Sequence, residues 1–216
     1  MRVRESRRVR WVSERQRVGV RDAPLSVSGY LRLCREDDDY ELLDGVLVQR
    51  TAAQLPHEWL FQWMLRLVGG YVEARGLGAA LGSRTPAQIT PYHVRLPDLL
   101  FVRTARMQIL NPQVLAEPPD WVLEIRSAGE RASDGVRLES DYRAIGVPEI
   151  WMVDLPRQRV RALRLHEGDY AVQEASDGLL RSAAIEGFAV RIENLFTEPR
   201  PRVSDLLQAL LQEATP

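Results

Sequence analysis

Two apolar runs, residues 121–127 (WVLEIRS) and 148–155 (PEIWMVDL), enclose a stretch that opens at Ser133 or Asp134 and stops at Gly146. Between those signals Leu138, Tyr142 and Ile145 recur at spacings of four and three, the inner stripe of a helix. A strand, a helix and a strand in that order form a crossover unit whose strands pair in parallel, with a right-handed connection. This unit constrains the chain most, because a parallel pair needs a helical cover.

The rest of the chain mixes in antiparallel pieces. In residues 40–50 (YELLDGVLVQR) two apolar runs flank Asp44-Gly45, a strong short-range hairpin signal. A two-residue turn there sets Leu43 opposite Val46, so Glu41, Leu43, Val46 and Val48 share one face. Ser26 or Ser28 caps a short helix through Leu31 and Leu33. Pro56 stands near the start of a longer helix, where its missing N–H costs nothing. His57, Leu60, Phe61, Met64, Leu67, Val68, Tyr71 and Val72 form its stripe, and Gly76 and Gly78 mark its end.

Short strands are expected near 79–83, 87–91, 98–103 and 188–192, with a turn at Asn111-Pro112 inside a loop or short helix over about 105–118. Residues 158–165 and 169–174 read as an antiparallel pair, and 203–213 as a last helix. By periodicity Trp59, Trp63, Trp121 and Trp151 are core aromatics. The expected fold is α/β: a mixed sheet flanked by helices, with an N-terminal hairpin.

The 216 residues, 45% hydrophobic and 27% charged, suit one domain over 25–216 behind a basic arm over 1–24. Arg2, Arg4, Arg7, Arg8, Arg10, Arg15, Arg17 and Arg21 crowd that arm, which is expected to be poorly ordered; it is either a nucleic-acid contact or a dangling extension. Net charge is −1, so bulk electrostatics make no case for nucleic acid. One cysteine, Cys34, excludes an internal disulfide and a Cys-based zinc site, and reads as a reducing, cytoplasmic setting. No run of about 18 apolar residues exists, so no membrane span is expected. Lysine is absent altogether; every fixed positive side chain is an arginine.

The candidate chemistry lies on two acids. Asp98 follows Pro97 at a strand start, and Glu124 interrupts an otherwise apolar strand. An ionised carboxylate there is costly to bury unless it is paired or bound to metal. Arg126 shares the strand parity of Glu124 and points to the same face. Two carboxylates and a cation on adjacent strands suit a hard divalent ion, Mg²⁺ or Mn²⁺, which activates water and stabilises charge on a phosphodiester.

In order, YELLDG (40–45), His57 opening a helix, RLPDLLFV (95–102), PPDWVLEIRS (118–127), Asp134 followed by Tyr142, GVPEIWMVD (146–154) and IEGF (185–188) resemble the Uma-type restriction endonuclease family, a bacterial branch of the PD-(D/E)XK nuclease superfamily. The resemblance runs from about Leu25 to Phe196. It implies a restriction-endonuclease-like mixed sheet, metal-dependent phosphodiester hydrolysis, and site acids at Glu41, Asp98 and Glu124.

Three departures matter. Val46 stands where the family carries a second glutamate, Leu138 where it carries a lysine, and Arg126 where the wider superfamily places its lysine. Arginine stabilises negative charge but is a poor base. Arg126 therefore either substitutes for the lysine or pairs with Glu124, and Arg137 is a second candidate cation. Glu41 is a site acid or a structural one. His57 is a core or cap histidine or a ligand, and Tyr142 packs inward or reaches the site. Two functions follow: a metal-dependent DNA endonuclease, for which a homodimer would match the two-fold symmetry of a duplex, or a degenerate relative that binds nucleic acid or regulates without turnover. Neither requires an organic cofactor.

Overall fold

The computed structural model describes residues 17–18, 24–34, 38–50, 52–82, 84–110, 113–129 and 132–213. Most of the Arg-rich arm and the Asn111-Pro112 turn lie outside the described residues. The chain divides into two compact units, one of residues up to Ala52 with Thr90–Arg95, the other of Ala53–Ile89 with Leu96 onward.

The first unit is built on the hairpin. Strands β2 (Tyr40–Leu43) and β3 (Val46–Gln49) pair antiparallel with Leu43 opposite Val46 and Glu41 opposite Val48, the register set by a two-residue turn. Asp44 and Gly45 take φ of 51° and 78°. Both central residues of such a turn need positive φ, which is why Asp-Gly stands there. Strand β1 (Arg17–Val18), inside the segment read as an arm, pairs with β3. Strand β6 (His93–Arg95), absent from the sequence reading, pairs with β2 through Leu42 and Val94. Helix α1 (Val27–Leu33) starts at Ser26, whose hydroxyl accepts the Gly29 N–H at 3.2 Å.

The second unit holds a six-stranded mixed sheet, ordered β11-β10-β9-β8-β7-β4. Its strands are β4 (Gly78–Gly82), β7 (Leu99–Arg103), β8 (Trp121–Arg126), β9 (Glu149–Asp154), β10 (Arg159–His166) and β11 (Asp169–Ala175). β8 and β9 are parallel, joined through α3 (Ala132–Ala144); the other pairs in this sheet are antiparallel. Strand β5 (Ala87–Thr90) bridges Leu115 through Ala87. A short pair, β12 (Leu179–Arg181) and β13 (Ala189–Arg191), follows, β12 being too brief to show a period.

Strand alternation sorts the core into two layers. Leu99, Leu123, Trp151 and Val153 face α2 (Leu55–Arg75) and α4 (Val203–Glu213), while Leu100, Val122, Ile150 and Leu163 face Tyr142 and Leu138 of α3. Trp121 and Trp151 meet edge to face, centroids 5.4 Å apart. Gly78 is forced: a Cβ there would lie 2.0 Å from the Val102 carbonyl oxygen. Trp59 corrects the sequence reading. It is 57% exposed, because the buried stripe of α2 runs through Leu60, Trp63, Met64 and Leu67 and leaves position 59 outside it.

Candidate active site

Asp98 and Glu124 are buried in the second unit. The antiparallel register of β7 and β8 sets Leu99 opposite Leu123. Continuing that register by one residue would set Asp98, just before β7, opposite Glu124 of β8. The same parity places Glu124 on the α3 face of the sheet, away from the α2 core.

Each acid has its own support. Asp98 Oδ2 accepts the Ile125 N–H at 2.8 Å and lies 3.1 Å from His57 Nε2. The backbone of the strand carrying Glu124 therefore orients Asp98. His57 comes from the first turn of α2, is buried, and has Nδ1 3.5 Å from Glu58 Oε1. Glu124 Oε1 accepts the Tyr142 hydroxyl at 2.5 Å, a short, charge-assisted bond. Tyr142 thus packs inward and also reaches the acid, and His57 is both a core histidine and a partner of Asp98.

α3 is pinned where it presents Tyr142. Glu139 accepts from Arg161 of β10 at 2.7 Å. Arg143 sits over the Tyr170 ring, 5.2 Å from its centroid. The Tyr170 hydroxyl donates to the Val147 carbonyl at 2.7 Å, and burial pushes this phenol up to about 12 despite the opposing pull of Arg143.

Arg126 donates from Nη1 to Asp154 Oδ2 at 2.6 Å. The parallel register causes this, since Arg126 stands directly opposite Asp154. Arg157 joins the same carboxylate, its N–H at 3.1 Å and its guanidinium at 3.3 Å. Arg137 is exposed on α3. Glu41, in the first unit, takes an ion pair from buried Arg95 at 2.9 Å. Sequence reasoning missed Arg95 and Asp154; the signals were there in the arginine of RLPD and in the aspartate closing the second strand of the crossover.

Among the described residues, no group of three His, Cys, Asp or Glu side chains forms a ready-made cation cage. The donor set still fits a hard divalent ion. Two buried carboxylates on adjacent strand segments offer oxygen ligands, and magnesium keeps several waters and takes one or two carboxylates rather than an all-protein cage.

The solved structure described as "a putative nuclease belonging to DUF820 from Anabaena variabilis ATCC 29413" matches with a TM-score of 0.66 and 18% identity, over 80% of this chain and 98% of that one. That likeness defines the class of fold, a nuclease-type α/β sheet between helices. The family model "Uma2: Putative restriction endonuclease" matches residues 27–193, and the chain belongs to this family. No curated protein matches it. No described helix is long and apolar enough to cross a membrane.

Proposed function

We propose that the chain is a metal-dependent endonuclease that hydrolyses phosphodiester bonds in DNA. The observation carrying this reading is the pair of buried carboxylates, Asp98 immediately before β7 and Glu124 within β8, on adjacent strands. In a nuclease-family protein, two acids held there by a backbone N–H, an imidazole and a phenol have a ready use as ligands.

Asp98 and Glu124 would hold Mg²⁺ or Mn²⁺, which when bound supplies an activated water and neutralises charge on the phosphate. The protein's own part is positioning. Ile125 N–H and His57 fix the Asp98 carboxylate, and Tyr142 fixes Glu124. Arg126 adds positive charge one strand pleat beyond Glu124 without taking a proton. The test is cleavage of supercoiled plasmid with Mg²⁺ or Mn²⁺. Nicking or linearisation by the parent and none by Asp98→Ala supports the reading; equal activity in both, or none in the parent, overturns it.

One observation favours a second reading, a family member that binds DNA without cutting it. Arg126, the cation nearest in sequence to Glu124, is already held by Asp154. Leu138→Lys separates the two, because it restores the family's lysine on the inner face of α3. A gain of cleavage from an inactive parent establishes degeneracy.

A further inference from the structure

At the carboxyl ends of the parallel strands β8 and β9, one pleat beyond Glu124, two guanidinium groups share one carboxylate. Arg126 and Asp154 are register partners and lie on the same sheet face as Glu124. Arg157 reaches the same carboxylate from the turn after β9. That turn is tied back by the Leu155 N–H donating to the Arg126 carbonyl at 3.1 Å. Two fixed positive charges against one negative leave the trio cationic. Its side chains are graded outward: Asp154 is 16% exposed, Arg126 21% and Arg157 60%.

The outer pair, Arg157 with Asp154, is of the exposed kind that contributes little to stability. The arrangement does hold two guanidinium groups in fixed orientation, and fixed guanidinium groups bind phosphate through paired N–H donors. The strand rise puts Arg126 roughly 6.6 Å past Glu124 along the same face. A polyanion with one phosphate at Asp98 and Glu124 would carry its neighbouring phosphates over this position. We infer that Arg126 and Arg157, oriented by Asp154, form a subsite for a nucleic-acid backbone phosphate flanking the one at the acid pair. This rests on the nuclease reading and specifies how the substrate lies: along the carboxyl ends of β8 and β9, gripped by its backbone and not by its bases.

The test is binding without turnover. Anisotropy of a fluorescein-labelled 16-base-pair duplex is measured in EDTA across a salt series for the full chain and for Arg126→Ala, Arg157→Ala and Asp154→Asn. Each arginine variant is expected to bind about 3–10-fold more weakly and to lower the slope of log affinity against log salt by about one, the loss of a single phosphate contact. Asp154→Asn, which removes a negative charge and keeps a hydrogen-bond acceptor, is expected to bind at least as tightly as the parent. A purely structural role would weaken all three. Arginine variants with the parent's affinity and slope, an Asp154→Asn variant as weak as they are, or a parent that does not bind the duplex overturns the subsite. Inorganic phosphate at matched ionic strength should displace the duplex no better than chloride; efficient displacement would assign the trio to free phosphate instead. Duplex binding with these slopes but no plasmid cleavage keeps the subsite and overturns the nuclease reading. Plasmid cleavage with unchanged slopes does the reverse.

Discussion

The buried acids Glu41, in the first unit, and Asp98 and Glu124, in the second, have different described hydrogen-bond donors. In the first, Glu41 meets Arg95, which is 2% exposed, in an ion pair at 2.9 Å. In the second, the described bonds to Asp98 and Glu124 come from a backbone N–H, an imidazole and a phenol. A buried acid matched by a guanidinium is committed to structure, since removing either partner strands a charge. On this basis Glu41 is expected to serve the stability of the hairpin unit, while the proposed function puts Asp98 and Glu124 in the chemistry, although the family pattern groups all three.

The comparison breaks most readily at the acid pair. Asp98→Asn and Glu124→Ala are expected to lower metal-dependent cleavage by at least about 10²-fold, as for loss of a group that stabilises developing charge. Their thermal unfolding midpoints should stay at or above that of the parent, because an acid buried for function costs stability. A large fall in the midpoint would show that Glu124 is a structural partner like Glu41. Arg95→Ala should do the opposite, destabilising the protein by about 3–5 kcal/mol in urea unfolding by removing the guanidinium paired with buried Glu41. A loss under 1 kcal/mol would remove the distinction.

Tyr142→Phe sharpens the contrast. It removes the hydrogen bond that positions Glu124, and its effect should appear in kcat more than in KM. The smallest effect is expected at Trp59, where Trp59→Ser should change stability by no more than about 0.5 kcal/mol, while Trp63→Ala costs about 3–5. Equal costs would mean that the solvent face of α2 is misplaced.

How far the sequence reaches is clear from particular residues. Asp44-Gly45 fixed the hairpin register, because that turn chemistry admits few alternatives. The crossover unit gave the parallel pair and, through strand parity, the face on which Glu124 sits. β6 escaped because three residues cannot display alternation. Trp59 was misread because one helical position beside a buried stripe is a matter of degrees around the axis, which periodicity alone does not resolve. The side-chain partners were the least legible. His57 with Asp98 and Tyr142 with Glu124 are separated by 41 and 18 residues, and only the packed sheet brings them together. The pairing of Arg126 with Asp154 followed from a strand register that neither residue announces by itself.

Titration of Mn²⁺ followed by electron paramagnetic resonance, on the parent, Asp98→Asn, Glu124→Gln and Glu41→Gln, tests the central claim most directly. The expected result is a specific Mn²⁺ site in the parent, weakened at least about tenfold, or 1.4 kcal/mol, in the Asp98 and Glu124 variants and unchanged in the Glu41 variant. Unchanged Mn²⁺ binding in the Asp98 and Glu124 variants, or a loss confined to Glu41→Gln, would contradict it.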